Sequence, residues 1–563
     1  MLQYVLAFVI LLGPLIFVHE FGHFLFAKLF NVRVDTFSMG FGPKIYRRKK
    51  GETEYCLSAI PLGGYVKLLG QDPNEEVPKD QEHRMLSKQE PWKRFLVFMA
   101  GPLFNFLFAV VIFGTILLVG EPHVASIVER VTPGSQAYQA GFRSSDLITA
   151  VGSRVVNKFD EVQDIVSESS GKELVFRVKR KDGFHELRAI PRPTSGFSVY
   201  GEVTEVGRID GLFAFGRYTA IGVSDPRSPA AKAELKTGDE IVTFNGAPVK
   251  SFEALSERVD EELSKTGDSK KGTVFTFGVV PHAIAYWQFD RRPSPIQAAT
   301  REVKLPARKL GELGIYSSEL FVASAVKGSP AEAVGLLPGD RLVALDDYAL
   351  PSFNDLRDQV QAAGEKSGKF VLRFERLGKI LSREITPTAN EVKDALGRDI
   401  KQYLIGVYPL FAPSEPQTFV ERSFNPLTIT VEAWSRALDL TSKTIISLKK
   451  LITRQVSMGT LGGPLLIGKL AGDSLGRGLA HFLKMMALIS ISLAVFNILP
   501  VPILDGGHIF LLLVEVVRGK PISVRQSEVV QQLGLTLILL LLVVVMFNDI
   551  SRVGLPAIRR MFE

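Results

Sequence analysis

Four apolar stretches in this chain are each long enough to cross a bilayer as a helix. They lie at residues 1–30, 95–120, 481–517 and 529–548. Crossing the hydrocarbon layer takes about 20 predominantly apolar residues in helical conformation. The first stretch lacks the basic start of a signal peptide, so we expect it to be retained. The pattern predicts a polytopic α-helical membrane protein with four transmembrane helices.

The first stretch contains the pentapeptide His-Glu-Phe-Gly-His at residues 19–23. On a helix, positions i and i+4 share a face, so His19 and His23 can bind one metal ion. Glu20 is then placed to take a proton from water as a general base. The alternative is a pair of metal-free histidines in a buried helix, but ionisable groups inside a membrane span are costly and usually functional. The motif predicts a zinc hydrolase site within the membrane.

The third stretch offers an acidic residue as a further ligand. A catalytic zinc site uses three protein ligands. Asp505 ends an uncharged run and follows Pro500 and Pro502, which deny the backbone its helical hydrogen bonds. Unwound backbone at membrane depth is tolerated where it lines a cavity or is buried in protein. Asp505 is therefore our candidate for the third ligand.

Composition and charge exclude several other classes of protein. The chain has 563 residues, which is too long for one core, and a formal net charge of +8. Its basic residues form neither a long tract nor a face interleaved with aromatic residues, so we expect no nucleic-acid partner. The single cysteine, Cys56, rules out an internal disulfide and a cysteine-rich zinc module.

The distribution of lysine and arginine predicts an orientation in the membrane. These residues are concentrated in the loop at 31–94 and in the short connection after the third stretch. Placing both segments in the cytoplasm satisfies the positive-inside rule, and the basic loop would contact anionic lipid. Both termini and the long insertion after residue 120 are then expected on the opposite face.

Residues 39–70, within the 31–94 loop, alternate apolar and polar side chains between glycines. This pattern is typical of strands and turns rather than of a helix. The residues alone leave two alternatives open: a hairpin sheet that dips toward the metal site, or a simple cytoplasmic hairpin.

The insertion between the second and third stretches contains three copies of one signature. Each copy reads Ser-x-Ala, where x is any residue, and an aspartate follows ten residues after x. The copies are Ser135-Gln136-Ala137 with Asp146, Ser228-Pro229-Ala230 with Asp239, and Ser329-Pro330-Ala331 with Asp340. They resemble PDZ domains of the bacterial protease-associated type, which implies inserted tandem α+β modules at 121–205, 206–316 and 317–412. Such modules bind extended peptide or protein termini at a sheet edge, or they only control access to the site; both alternatives stay open.

Residues 413–480 lead from the last module to the third stretch. Val431, Trp434, Leu438 and Ile445 recur at helical spacing. They predict an amphipathic helix, either along the membrane interface or packed on a domain. A flexible, glycine-rich connector is expected from Gly459 to Gly472.

The motifs together resemble those of the site-2 proteases, a family of intramembrane zinc metalloproteases. The order of His19 to His23, Gly101-Pro102-x-x-Asn105 and the run from Asn497 to Gly507 matches that family. The segment Pro61 to Lys67 and the PDZ insertion extend the likeness over nearly the whole chain, closest to bacterial members with PDZ modules. Two such modules are usual in those members, and three are counted here.

The resemblance implies a site and a substrate class. Zinc would be held by His19, His23 and Asp505, with Glu20 as base, while Asn497 and Pro502 would help to hold the unwound substrate. Residues 39–70 would be a membrane-re-entrant β-loop that receives the substrate as an added strand. The substrates would be pre-cleaved single-span membrane proteins, such as anti-sigma factors or remnant signal peptides. The protein would lie in the bacterial inner membrane, with the PDZ modules on the periplasmic side.

Two other functions remain as alternatives. The chain could be a membrane-anchored protease that cuts soluble chains, which would need a third ligand outside the spans. It could also be a PDZ scaffold with an inactive site, although the presence of His19, Glu20, His23 and Asp505 argues against this.

Overall fold

A computed structural model describes residues 2–70, 77–197, 203–266, 273–281, 300–366, 368–393, 399–410, 416–453, 462–520 and 522–550. The chain divides into two compact units, Met1–Pro122 with Val420–Glu563 and His123–Phe419. The helices of the described residues are α1 Leu2–Leu29, α2 Pro91–Val119, α3 Gln136–Gln139, α4 Phe159–Glu168, α5 Pro229–Lys232, α6 Phe252–Thr266, α7 Leu310–Leu313, α8 Pro330–Ala333, α9 Phe353–Glu365, α10 Pro426–Ile452, α11 Pro464–Gly476, α12 Leu479–Ile498, α13 Asp505–Arg518 and α14 Val524–Asp549.

The described strands are β1 Val34–Lys50, β2 Thr53–Leu68, β3 Glu121–Val124, β4 Arg130–Val131, β5 Leu147–Val151, β6 Arg154–Val155, β7 Leu174–Arg180, β8 Gly183–Ala189, β9 Arg192–Phe197, β10 Val203–Arg208, β11 Leu212–Phe213, β12 Ile221–Gly222, β13 Glu240–Phe244, β14 Ala247–Pro248, β15 Val274–Val280, β16 Arg301–Pro306, β17 Tyr316–Ser317, β18 Val322–Ala325, β19 Arg341–Leu345, β20 Tyr348–Ala349, β21 Phe370–Arg376, β22 Lys379–Ile385, β23 Thr388–Lys393, β24 Asp399–Leu404, β25 Val407–Pro409 and β26 Thr418–Glu421.

Four helices of the first unit are long and apolar enough to cross a membrane. The apolar segments are Gln3–Leu29 in α1, Pro91–Val119 in α2, Leu479–Ile498 in α12 and Glu528–Asp549 in α14. Helix α2 begins at Pro91, earlier than residue 95, because proline is well suited to the first turn of a helix. The third apolar stretch is not one helix, because residues 499–504 separate α12 from α13.

Helices α1, α2 and α12 form the core of the first unit. Their buried apolar residues make one cluster, which includes Leu11, Leu15, Ile112, Ile116 and Ile491. Helices α1 and α2 are in close contact at Gly22, where an added Cβ would lie 2.5 Å from the carbonyl oxygen of Ala100. Small residues allow such close contact between helix backbones. The metal motif of α1 is thereby held against α2.

The expected glycine-rich connector is wrong for most of its length. Residues 459–461 lie outside the described residues, but helix α11 starts at Pro464 and runs through the remaining glycines. An added Cβ at Gly472 would lie 2.2 Å from the Tyr4 ring, so this glycine lets α11 pack on α1. The predicted amphipathic helix is α10, in which Ala433 and Ala437 are buried. Its Trp434 packs against Phe106 of α2, with the ring centroids 5.4 Å apart.

Strands β1 and β2 form an antiparallel sheet beside α1. Both strands bend, so one part of β1 has neighbours from β2 on both of its edges. Ser38, for example, pairs with Cys56 on one edge and with Tyr65 on the other. Across the sheet the segments run in the order 44–50, 53–58, 34–39 and 64–68. Within the described chain, no other strand pairs with the outer edge of segment 64–68. Phe37 packs on α1, with its ring 5.3 Å from that of Phe24.

Glu52 ties the turn of this sheet to the end of α1. Its carboxylate accepts hydrogen bonds from Lys28 at 2.6 Å and from two nitrogens of Arg84 at 2.7 and 2.8 Å. The hydrogen bonds from Arg84 chiefly lower the pKa of Glu52 to about 2, against the opposing effect of burial, and Lys28 adds to the lowering. Glu52 is therefore ionised at neutral pH, and the sheet stays anchored near the metal motif.

The second unit contains three modules with the same order of elements. Each has a four-stranded antiparallel sheet, in the orders β6-β5-β7-β8, β14-β13-β15-β16 and β20-β19-β21-β22. In each module a longer helix, α4, α6 or α9, follows the two-residue edge strand β6, β14 or β20 and leads into β7, β15 or β21. Each module has its own cluster of buried apolar residues.

The repeated signature has a structural cause. In each copy the serine caps a short helix by accepting a hydrogen bond from a backbone N–H, as at Ser135, Ser228 and Ser329. The repeated aspartate accepts one from the backbone N–H three residues earlier, at Arg143, Lys236 and Leu337. The signature therefore specifies the helix start and the turn that leads into the first sheet strand.

The first module ends later than residue 205, where the sequence placed its boundary. Ile209 belongs to its buried core, and β11 returns to pair with β4. The boundary predicted from sequence excluded β11 because this strand has only two residues, Leu212 and Phe213, and so gives no recognisable strand pattern.

Buried charges join the three modules of the second unit. Glu319 contacts Arg130 of the first module at 3.4 Å and Arg217 at 3.5 Å, and Arg217 contacts Glu253 of the second module at 2.6 Å. The backbone N–H of Phe353, in the third module, donates to Glu319 at 2.6 Å. Loss of one partner from a buried ion pair leaves an uncompensated charge, so this cluster favours one arrangement of the modules.

Candidate functional site

Three candidate ligands converge in the first unit. His19 and His23 lie one helical turn apart on α1, with their Nε2 atoms 3.3 Å from each other. Asp505, the first residue of α13, places Oδ2 3.2 Å from His19 Nε2 and Oδ1 3.4 Å from His23 Nε2. The three ligand atoms all lie within 4.8 Å of one another.

The donor set and its spacing fit a zinc ion. Tetrahedral zinc with bonds of about 2.0–2.2 Å places neighbouring ligand atoms about 3.3–3.6 Å apart, and the distances of 3.2, 3.3 and 3.4 Å between these atoms lie at or just below the lower end of that range. Asp505 Oδ2 is buried and has no hydrogen-bond partner. A buried acceptor without a partner is costly, and a cation between these atoms would remove that cost.

The orientation of His23 is fixed by α2. Its Nδ1 lies 2.8 Å from the backbone carbonyl oxygen of Val97. A carbonyl oxygen only accepts, so Nδ1 carries the ring proton and Nε2 presents a lone pair toward His19 and Asp505. Gly101 leaves the space beside the rings open, since an added Cβ would lie 2.3 Å from His23 Nε2 and 2.7 Å from His19 Cε1.

The break between α12 and α13 brings Asp505 to the histidines. Gly506 and Gly507 let α13 fold closely against the end of α12, because added Cβ atoms would lie 2.2 Å from the Leu499 oxygen and 2.4 Å from the Val501 oxygen. Ile503 has a φ of +88°. Such a backbone costs a non-glycine residue about 1–3 kcal/mol and persists only where its surroundings fix it.

Pro502 lies in the turn between α12 and α13. It is absent from the lining of the site cavity and packs on α14, where an added Cβ at Gly534 would lie 2.5 Å from the Pro502 oxygen. Pro502 contacts this glycine because the turn runs between α13 and α14. Its position supports the turn that carries Asp505, and its assignment to substrate binding stays a prediction.

A cavity of about 260 Å³ opens beside the three ligands. Glu20 and Asn497 line it, together with Gly64, Tyr65 and Val66 from the outer segment of β2. The backbone N–H of Val66 faces the Glu20 carboxylate as a hydrogen-bond donor. The cavity therefore combines a carboxylate, an amide and a sheet edge next to the proposed metal position.

The Asn497 amide lies close to the ligands. Its Nδ2 is 3.4 Å from His19 Nε2. His508, which we did not assign as a ligand, stacks on Phe98 with ring centroids 4.9 Å apart and an interplanar angle of 11°.

Several residues that shape the site were not assigned from sequence. Gly101 and Asn105 belong to the Gly-Pro-x-x-Asn motif, which was a signal, although no role was derived for either residue. Val97 acts through its backbone, and Gly534 stands between two leucines at the start of the apolar run of α14. No sequence pattern distinguishes these two positions.

Comparisons with known proteins find relatives over nearly the whole chain. The family model for peptidase family M50 matches residues 7–541. A protein of Neisseria meningitidis, whose name assigns it to the zinc metalloproteases, is 30% identical over 554 residues and covers 97% of this chain and 98% of its own. The regulator of sigma-E protease of Escherichia coli is 28% identical over 550 residues, with the same coverage. A solved PDZ domain protein from Parabacteroides distasonis covers 50% of this chain and 95% of its own at 10% identity, but its TM-score of 0.14 is too low to support a common fold.

The family match spans both the metal motif of α1 and the Asp505 segment. The relatives cover almost the whole chain, so the match is not confined to one domain. The chain belongs to peptidase family M50, the site-2 proteases, and is a zinc metalloendopeptidase.

Proposed function

We propose that this chain hydrolyses peptide bonds within the transmembrane segments of single-span membrane proteins that another protease has already shortened. The observation that carries the proposal is that the three candidate ligands lie on, or directly after, helices that can span a membrane. His19 and His23 belong to α1 and Asp505 follows α12, and both helices are apolar enough to span a membrane. A site formed by such helices meets substrates that lie in the same layer.

Each residue of the site has a proposed role. His19, His23 and Asp505 hold the ion, and zinc, when bound, supplies Lewis-acid chemistry that polarises the scissile carbonyl and favours attack by water near neutral pH. Glu20 takes the proton of the attacking water and delivers it to the leaving amine nitrogen. Its position on the cavity wall beside the ligands supports this role.

The substrate must unwind before it reacts. A helical substrate engages its carbonyl oxygens in hydrogen bonds four residues along. Asn497 lines the cavity and offers both a donor and an acceptor to the released backbone. Segment 64–68 of β2 has an outer edge at the same cavity, so an extended substrate can add to it as a strand. Pro502 helps to hold the unwound substrate, as the family resemblance implies, and its packing on α14 stabilises the turn before Asp505.

The substrate class and the location extend the same proposal. Relatives are named regulators of sigma E, which supports an anti-sigma factor, or a remnant signal peptide, as the substrate. We place the protein in the bacterial inner membrane with the three modules on the periplasmic side. There the modules would bind extended peptide termini, exclude substrates with intact outer domains, or do both.

The test uses the purified full-length protein in liposomes and three substrates with the same cleavage segment. The first is a single-span protein with a short outer end, the second carries a folded outer domain, and the third is a soluble peptide. We expect cleavage of the first only, and none by Glu20→Gln. Equal kcat/KM for the soluble peptide would instead favour a membrane-anchored protease of soluble chains. A zinc-loaded protein that cuts none of the three would favour the scaffold function.

A further inference from the structure

The two histidines of the site are supported in different ways. The proton on His23 Nδ1 is accepted by a backbone carbonyl, that of Val97, at 2.8 Å. His19 Nδ1 instead faces a side chain, the amide of Asn105, at 3.2 Å. The contact to His23 comes from the backbone of α2, which any residue at position 97 would provide. The contact to His19 comes from a side chain and is therefore lost when Asn105 is replaced by an apolar residue.

Asn105 is buried and incompletely satisfied. Its exposed fraction is 0%, and its Oδ1 has no hydrogen-bond partner. A half turn of the amide about its last torsion exchanges Oδ1 with Nδ2 and brings the acceptor to the ring nitrogen. The same change gives the unpartnered oxygen the donor that it lacks.

The chemistry of the ligand selects this orientation. A neutral imidazole that binds a metal through Nε2 carries its proton on Nδ1, and that proton needs an acceptor. We propose that Asn105 is a positioning residue whose side-chain oxygen accepts the His19 Nδ1 proton and so holds Nε2 ready for zinc. This inference rests on the proposed role of His19 as a ligand.

The surroundings of Asn105 favour an indirect role over substrate contact. Asn105 is not part of the cavity lining. Its backbone oxygen accepts a hydrogen bond of 2.7 Å from Ser490 Oγ, which links α2 to α12 at this level. That hydrogen bond involves only the backbone of Asn105, whereas its side chain contacts the His19 ring.

The test compares zinc affinity, measured by competition with a chelator, in the full-length detergent-solubilised protein. Asn105→Leu keeps a similar volume but removes the acceptor, and we expect its affinity to fall about 10–100-fold, the usual effect of losing such a partner. Asn105→Asp retains an acceptor and is expected to bind zinc about as tightly as the unmodified chain. The visible spectrum of the cobalt-substituted protein should change in Asn105→Leu and not in Asn105→Asp.

Ser490→Ala is the matched control, because it removes the neighbouring buried hydrogen bond without touching His19. We expect its zinc affinity to stay unchanged. Equal loss in Ser490→Ala, or in Asn105→Asp, would mean that packing matters and the acceptor does not. Unchanged affinity in a folded Asn105→Leu would overturn the inference alone, whereas absence of zinc from the unmodified chain would overturn the proposed function.

Discussion

Replacing Glu20 with glutamine is expected to abolish peptide hydrolysis while one zinc ion per chain remains bound. The amide cannot take a proton from water, and general acid–base catalysis contributes about 10²–10⁴-fold to rates. Glu20 lines the cavity but is not among the three converging ligands, so zinc binding should not need it. Cleavage of the short single-span substrate in liposomes and zinc content of the same sample give the two readouts.

Glu20→Asp serves as the control, since it keeps a base but draws it back by one methylene. We expect partial activity from this variant. Full activity of Glu20→Gln would exclude Glu20 as the base. Loss of zinc along with activity would mean that Glu20 is needed to build the metal site.

Gly101→Ala is expected to remove zinc and activity together. The new methyl group would lie 2.3 Å from His23 Nε2 and 2.7 Å from His19 Cε1, closer than any real contact. Helix α2 cannot easily retreat, because it is already in close contact with α1 at Gly22. The rings must therefore turn away from Asp505, and zinc content measured on the purified protein should fall to near zero.

Gly13→Ala is the matched control for that change. Gly13 lies in α1, the helix of the two histidines, and an added Cβ there meets nothing within 4 Å. We expect this variant to keep full zinc content and activity. If Gly101→Ala also keeps both, then the histidines do not bind their ion in the arrangement described here.

The chemistry of the site could be predicted from sequence because it depends on local periodicity. His19 and His23 share a helix face by their spacing alone, and both project toward one ion position. Asp505 was found because an acidic residue at the end of an uncharged run stands out. Its distance from the histidines could not be predicted, since it depends on how α12 and α13 fold against each other at Gly506 and Gly507.

The features that the sequence did not predict have a common physical cause in tertiary contacts. Glycines were interpreted as flexible between 459 and 472, but Gly472 permits close helix packing on Tyr4 and so favours a helix. The contact of Pro502 with Gly534 could not be predicted, because it joins the turn after α12 to a separate helix. The ion pair between Arg130 and Glu319 could not be predicted either, because the two residues are far apart in the chain.

The central claim is that His19, His23 and Asp505 hold one zinc ion, and metal content with the local coordination of that metal tests it most directly. We predict one zinc per chain, with an X-ray absorption spectrum that shows two imidazole ligands and oxygen, and near-zero zinc in a folded Asp505→Ala. One zinc per chain in Asp505→Ala, or a zinc with no imidazole ligands, would contradict the account.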